Sequence, residues 1–326
     1  MTQVNSFAAQ HMQVGEEYYI FDLADSVQRE HVYYLTRYGV EIAADLYYPK
    51  DLEKELQYPA VVVGPPFGGV KEQGPGVYAN ELAQRGFIVL AFDPAYHGYS
   101  GGQPRYAGSP DTYVEDFSAA IDFLGSLSFV NRESIGALGL CASGGFVLGA
   151  AAQDLRIKAV ATSVLYDIPA LAGLASGEER DEQLRAFSYQ RWTDFDQQEA
   201  AFDYTYPENP QTDMPDGLAI LPEFWDFYAT KRCWHPHARA NITATSNPAF
   251  MNFQVTGRID EISPRPVLLI TSEEAHSRAF SEQIFERLQE PKELYVAPFG
   301  SHVDFYDRVD IIPFDKLEEF FKKNLL

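Results

Sequence analysis

The chain has 326 residues, of which 46% are apolar, and this is enough for one large α/β domain with a buried core. The formal net charge of −22 predicts a surface that repels nucleic acid and anionic lipid, so neither is expected as a partner. The first fifteen or so residues have the composition of a loose tail without a secretory signal, and no run approaches the roughly 18 apolar residues of a membrane helix. We therefore expect a cytoplasmic protein, in which a disulfide between Cys141 and Cys233 is poorly supported.

The first half of the chain alternates predicted strands and helices. Short apolar runs predict a pair of strands at 31–49 around a turn, and further strands at 59–64, 87–93, 134–140 and 157–167. Amphipathic spacing predicts helices at 76–86 and 112–127, and a helix of small residues after the run at 134–140.

The alternation stops at residue 168 and resumes at residue 265. Strands are predicted at 265–271 and 292–298, with helices at 277–288 and 313–326. Residues 168–264 are acidic, aromatic and irregular, with helical patches at 178–202 and 222–228. We interpret residues 1–167 and 265–326 as an α/β core, and residues 168–264 as a cap inserted between two core strands. The alternation predicts a mostly parallel sheet with helices on both faces.

The sequence LGLCASGGF, residues 138–146, joins a predicted strand to a predicted helix and contains two candidate nucleophiles. In a nucleophile elbow the residues two before and two after the nucleophile must be small, because the turn is sharp. The apolar strand ends at Leu140, and Gly139 stands two residues before Cys141. This register favours Cys141 and makes Ser143 the alternative. The start of the following helix would lower the pKa of a thiol placed there.

With this elbow the sequence resembles the α/β-hydrolase superfamily over most of its length, from about Val32 to the end. The resemblance is greatest to a dienelactone-hydrolase-like branch with a cysteine nucleophile, whose members carry G-x-C-x-[SG]-G-G. That branch includes polyketide-transferase-like and thioesterase-like enzymes. The resemblance therefore implies an α/β-hydrolase fold, a small-molecule acyl substrate and, as one assembly known in the branch, a homodimer.

The resemblance also assigns an oxyanion hole and a base. GPPFGGVKEQ, residues 64–73, stands where the superfamily places its oxyanion loop. Because its two prolines have no N–H, the amide of Phe67 is the first available donor, and the amide of Ala142 is the second. GSHVDFYD, residues 300–307, follows the last predicted core strand, where the superfamily places its catalytic histidine. This makes His302 the expected base.

The acid that would orient His302 is less well determined by the sequence. The common position follows the strand at 265–271, where a family aspartate would align near Ala275, which cannot serve. The other position known in the superfamily is the end of the preceding core strand, where Asp167 stands. We favour Asp167, keep Glu273 as the alternative, and leave open Glu274 or a site without an acid.

Two other patterns are set aside. Residues 98–102 match G-x-S-x-G around Ser100, but a loop follows them where an elbow requires a helix. His235 and His237 lack the second ligand pair of a zinc site, and no dinucleotide fingerprint or phosphate loop occurs. No metal or cofactor is expected.

The sequence therefore predicts a hydrolase of ester, lactone or thioester bonds that uses a Cys-His-acid triad and a covalent acyl-enzyme. Two alternatives stay open. The same site could transfer an acyl or polyketide group to an alcohol or amine, or the fold could bind a small ligand without catalysis.

Overall fold

The computed structural model describes residues 15–326, which contain an eight-stranded sheet. The predicted N-terminal tail lies almost entirely outside these residues. The strands are β1 (Val27–Leu35), β2 (Glu41–Pro49), β3 (Tyr58–Gly64), β4 (Ile88–Phe92), β5 (Val130–Leu140), β6 (Ala159–Ser163), β7 (Val267–Ser272) and β8 (Lys292–Ala297). Their order in the sheet is β1-β2-β4-β3-β5-β6-β7-β8. β2 pairs antiparallel with β1 and β4, and all other pairs are parallel.

Helices cover both faces of this sheet. They are α1 (Gly74–Gln84), α2 (Pro110–Ser126), α3 (Ser143–Gln153), α4 (Ile168–Ala172), α5 (Gly177–Gln197), α6 (Pro222–Ala229), α7 (Asn247–Asn252), α8 (Arg278–Arg287), α9 (Asp304–Asp307) and α10 (Phe314–Leu325). Gly136 and Gly139 of β5 face opposite sides, because side chains alternate along a strand. A Cβ on Gly136 would meet Phe321 of α10, whereas one on Gly139 would meet the start of α3. The predicted sheet, mostly parallel and covered on both faces, is confirmed.

The boundaries differ from the prediction where local backbone chemistry intervenes. The strand predicted at 157–167 ends at Ser163, because Val164 adopts a φ of 45° that a strand cannot continue through. Helix α2 begins at Pro110, two residues earlier than predicted. Ser109 caps it in a reciprocal pair with Thr112, and proline suits the first helical position.

The segment between β6 and β7, residues 168–264, contains α4 to α7. Its longest helix, α5, has no buried residue, whereas α6 buries Trp225, Phe227 and Tyr228. Among residues 15–326, no helix is both long and apolar enough to cross a bilayer.

The carboxyl ends of the parallel strands meet at one edge of the sheet, as in other open α/β sheets that bind ligands there. The loops that leave β3, β5, β6, β7 and β8 at this edge carry the candidate residues of the sequence analysis.

Candidate active site

Cys141 occupies the sharp turn between β5 and α3. Its φ is 52°, a left-handed conformation that a residue with a side chain adopts only at a cost, and such strain is concentrated at functional sites. The turn requires a glycine two residues earlier, because a Cβ on Gly139 would lie 2.0 Å from the carbonyl oxygen of Ser143. The Cys141 side chain is almost fully buried, with 5% of the residue exposed.

Ser143, the alternative nucleophile, is the first residue of α3. Its hydroxyl donates a hydrogen bond of 2.5 Å to the carbonyl of Pro65. Serine therefore fastens the loop after β3 to the start of α3. The hydroxyl is buried and directed at the backbone of that loop.

Three hydrogen-bond donors surround the sulfur of Cys141. The backbone amides of Phe67 and Ala142 and the hydroxyl of Tyr306 each stabilise the thiolate. Burial is nevertheless the largest influence, and it raises the pKa of the Cys141 thiol to about 11. The thiol therefore carries its proton at neutral pH, and it can act as a nucleophile only if a neighbouring group removes that proton.

His302 follows β8 and is fully buried. Its Nδ1 lies 2.6 Å from Oγ of Ser277, and its Nε2 lies 2.7 Å from the hydroxyl of Tyr306. Burial lowers the pKa of His302 well below its usual value, and the nearby His276 lowers it further. The imidazole is therefore neutral at pH 7 and able to accept a proton.

The structure does not bring Asp167 to His302. Asp167 is the N-cap of α4: one carboxylate oxygen accepts from the amide of Ala170 at 3.1 Å. The other accepts from the hydroxyl of Thr256 at 2.7 Å. Both oxygens are thus engaged in holding the start of the segment 168–264.

The two other candidate acids also have partners elsewhere. Glu273 pairs with Arg278 and is largely exposed. Glu274 accepts from the amide of Gly300 at 2.9 Å and so supports the loop that carries His302. The side chain on Nδ1 of His302 is the hydroxyl of Ser277, from the turn that leads from β7 into α8.

Sequence reasoning missed both Ser277 and Tyr306. A hydroxyl in place of a carboxylate leaves no signal in a single sequence. Tyr306 could have been found from its spacing, because residues four apart in a helical turn share one face, and His302 stands four residues before it.

The carboxylate of Glu223 lies beside His276, which in turn lies beside His302. The ring of His276 lies 4.7 Å from that of His302, and Nδ1 of His276 is 2.6 Å from Glu223 of α6. Glu223 also accepts from the amide of Val303 at 3.3 Å. Burial raises the pKa of Glu223, but the bonds from His276 and the Val303 amide outweigh it and the net shift is downward. The segment 168–264 thus touches the loop of His302.

Aromatic side chains enclose the sulfur. Tyr166, Tyr206 and Tyr228 have raised pKa values, through burial first and also through the charge that Cys141 would carry. The rings of Tyr206 and Tyr228 stack at 5.0 Å. Phe67 packs on Tyr113 at 5.9 Å. The surroundings of Cys141 are therefore mostly aromatic and shielded from solvent.

The patterns set aside in the sequence have structural uses. Ser100 donates to the carbonyl of Asp93 at 2.7 Å and accepts from the amide of Ala43 at 2.9 Å. His235 accepts from the amide of His237 at 3.1 Å. Within residues 15–326, no group of three or more His, Cys, Asp or Glu side chains is arranged to hold a metal ion.

Comparison with known proteins gives a family and close relatives. The family model described as X-Pro dipeptidyl-peptidase (S15 family) matches residues 38–251, a range that contains Cys141 and ends before His302. The Uncharacterized protein PA2218 of Pseudomonas aeruginosa is 45% identical over 314 residues, which are 94% of this chain and 83% of that protein. The crystal structure of PA2218 superposes with a TM-score of 0.90 at 44% identity, covering 97% of this chain and 99% of that one.

Two fungal proteins that are named for an activity are also similar to this chain. The polyketide transferase grgF of Penicillium is 27% identical over 76% of this chain and 82% of its own. The crystal structure of GrgF, described as an alpha/beta hydrolase, has a TM-score of 0.77 at 23% identity, covering 91% of this chain and 99% of that one, which shows the shared fold. The thiohydrolase aneE of Aspergillus aculeatus is 33% identical over 129 residues, 40% of this chain and 39% of that protein.

Proposed function

Because the chain belongs to the X-Pro dipeptidyl-peptidase (S15) family and has the α/β-hydrolase fold, we propose that it is a hydrolase of ester or thioester bonds with Cys141 as nucleophile. His302 is the base, and the amides of Phe67 and Ala142 form the oxyanion hole. The relatives that are named for an activity, a polyketide transferase and a thiohydrolase, support acyl chemistry of this kind.

The observation that carries this proposal is the convergence on one sulfur atom. Cys141 stands in a strained turn that aims its side chain away from the backbone, and two backbone amides from different loops point at it. An amide pair that points at the nucleophilic sulfur is also placed to stabilise the oxyanion of a tetrahedral intermediate. Ser143, whose hydroxyl is bound to Pro65, has no such surroundings.

The reaction proceeds through a covalent intermediate. The thiol of Cys141 loses its proton to His302, and the sulfur attacks the substrate carbonyl carbon. The carbonyl oxygen becomes an anion held by Phe67 and Ala142. Collapse of this tetrahedral intermediate expels the alcohol or thiol, which takes the proton from His302. Water then hydrolyses the acyl thioester on Cys141 and restores the enzyme.

A second activity is favoured by the burial of the site. Cys141 is 5% exposed and lies among tyrosines of the segment 168–264, which we propose to be the cap. A site that excludes water slows hydrolysis of the acyl-enzyme and favours an acceptor alcohol or amine. Acyl transfer at the same cysteine is therefore the second candidate.

Turnover of three substrate types tests the proposal. The wild type, Cys141→Ala and Ser143→Ala are compared on p-nitrophenyl acetate, an acyl N-acetylcysteamine thioester and an Xaa-Pro p-nitroanilide. We expect the wild type to cleave the ester and thioester, Cys141→Ala to be inactive, and Ser143→Ala to keep acylated Cys141 detectable by mass spectrometry. Adding an alcohol acceptor separates transfer from hydrolysis.

Three outcomes contradict the proposal. Preferred cleavage of the anilide would indicate a peptidase. Activity that is lost in Ser143→Ala and kept in Cys141→Ala would make Ser143 the nucleophile. A protein that turns over none of these substrates, and whose Cys141 resists iodoacetamide, would be a ligand-binding member of the fold.

A further inference from the structure

We propose that Tyr306 is a catalytic residue, which relays the proton between Cys141 and His302 through its hydroxyl. This inference rests on the proposed function, because it assigns the path by which the thiol reaches its base. It adds to the site a residue from α9 that the sequence pattern of nucleophile, histidine and acid does not include.

The hydrogen bonds of His302 point to this path. Its Nδ1 faces Ser277 at 2.6 Å, and its Nε2 faces the Tyr306 hydroxyl at 2.7 Å. The same hydroxyl donates to the sulfur of Cys141 when the thiol ionises. Tyr306 therefore stands between nucleophile and base and touches both.

The hydrogen bonds of these groups run in one direction. The carbonyl of Val164 can only accept, so Ser277, 3.4 Å away, donates to it. Ser277 then accepts from Nδ1–H of His302, which leaves Nε2 unprotonated. Nε2 accepts from Tyr306, and the oxygen of Tyr306 is free to accept from the thiol of Cys141. Each hydroxyl donates once and accepts once, and the proton of the thiol has a continuous route to Nε2.

Val164, the last acceptor in this series of hydrogen bonds, has a strained backbone conformation. Val164 has a φ of 45°, which is rare for a β-branched residue. Its amide is fixed to the carbonyl of Ile270 at 2.8 Å, so that its own carbonyl turns out of the sheet towards Ser277. Strain of this kind persists where surrounding structure enforces it, and is concentrated at functional sites.

Tyr306 passes a proton on and does not keep the charge. Burial raises the pKa of Tyr306 well above its usual value, and the neighbouring thiolate of Cys141 raises it further. A stable tyrosinate is therefore excluded at neutral pH. As the S–H bond of Cys141 breaks, its proton bonds to the Tyr306 oxygen while the original O–H proton bonds to Nε2 of His302.

Protons and charges balance in this transfer. The products are a thiolate that forms the S–C bond, a neutral tyrosine and an imidazolium. When the tetrahedral intermediate collapses, the imidazolium returns its proton through the same hydroxyl to the departing oxygen or sulfur. No oxidant, metal or further base takes part.

Tyr306→Phe tests the relay, because it removes the hydroxyl and keeps the ring that packs on Phe227 at 5.1 Å. The matched control is Tyr78→Phe. The Tyr78 hydroxyl is equally buried and donates to the carbonyl of Phe305, the neighbour of Tyr306, but it touches neither Cys141 nor His302. A purely structural effect of losing a hydroxyl beside α9 therefore shows in both variants.

The measurement is the burst of p-nitrophenol that reports acylation, in mixtures of H₂O and D₂O. For the wild type and Tyr78→Phe we expect a curved dependence on the deuterium fraction, as two protons move together. For Tyr306→Phe we expect the burst rate to fall about 10²-fold, with little change in KM and a linear dependence. The pH profile of iodoacetamide alkylation should also move to higher pH, because the thiolate loses a donor.

The outcomes separate the relay from the proposed function. A folded Tyr306→Phe variant that acylates within twofold of the wild type, with a curved dependence, would overturn the relay and leave Cys141 as nucleophile. An equal loss in Tyr78→Phe would overturn it too, because the effect would then be structural. Turnover by Cys141→Ala would instead overturn the proposed function, and the relay with it.

Discussion

The hydroxyl of Ser277 lies 2.6 Å from Nδ1 of His302, where the sequence led us to expect a carboxylate. A serine keeps the imidazole in one tautomer and one orientation, as a carboxylate would, but it contributes no negative charge to stabilise the imidazolium. A cysteine nucleophile tolerates this arrangement better than a serine does, because a thiol ionises more readily than an alcohol.

Ser277→Ala should reduce both stability and activity. The variant leaves Nδ1–H of His302 buried without a partner, which costs about 1–3 kcal/mol of unfolding free energy. It also frees the ring to rotate, so kcat should fall while KM stays similar. Urea unfolding and steady-state kinetics measure the two effects.

Ser281→Ala is the control for this variant. Ser281 lies on the same helix, α8, and its buried hydroxyl has no hydrogen-bond partner in the described structure. Its loss should leave the unfolding free energy and kcat near those of the wild type. Ser277→Ala with wild-type kcat would show that His302 is oriented without Ser277.

Asp167→Ala should lower stability and spare the chemistry. The change removes the cap of α4 and the bond to Thr256, which together are worth about 1–2 kcal/mol. The burst rate on p-nitrophenyl acetate should stay within about twofold of the wild type, since neither carboxylate oxygen contacts His302.

Glu273→Gln supplies the comparison, because its carboxylate is exposed and paired with Arg278. We expect Glu273→Gln to change neither the unfolding free energy nor the burst rate. A large loss of kcat in a stable Asp167→Ala or Glu273→Gln protein would restore that residue as the acid of the triad.

The pH dependence of alkylation distinguishes a neutral thiol–imidazole pair from a thiolate–imidazolium pair. Burial raises the pKa of the Cys141 thiol to about 11, and burial lowers the pKa of His302 well below its usual value. Both groups are therefore uncharged at neutral pH. The alkylation rate by iodoacetamide should rise steadily from pH 7 towards pH 11.

An ion pair would instead give a plateau across neutral pH. Mass spectrometry of the modified peptide assigns the reaction to Cys141, and Cys233→Ala removes the other cysteine as a source of signal. A plateau between about pH 5 and pH 8 would show that the thiol is ionised in the resting enzyme.

The sequence predicted the scaffold of the site well because apolar runs and turn residues report local structure. The strand that ends at Leu140 and the glycine at 139 place Cys141 in the turn, which is where it lies. The partners of His302 could not be predicted in the same way. Ser277 meets His302 across 25 residues of chain, and only the packing of β7 and β8 sets that distance.

Asp167 shows that a correctly predicted position in the chain does not fix the contacts of a side chain. The residue does stand near the carboxyl end of β6, as predicted, but the turn at Val164 comes earlier than the apolar run suggested. The chain then enters α4, and the carboxylate is used as a helix cap.

The homodimer and the cytoplasmic location stay predictions.

The bond from Ser143 to Pro65 joins the two stretches of chain that carry the amides of the proposed oxyanion hole. One amide precedes Ser143 by a single residue, and the other follows Pro65 by two. Folding therefore fixes the distance between the donors before any substrate arrives, and substrate binding need not assemble them. We therefore infer that Ser143, the alternative nucleophile of the sequence analysis, keeps the two donor amides at a fixed distance from each other.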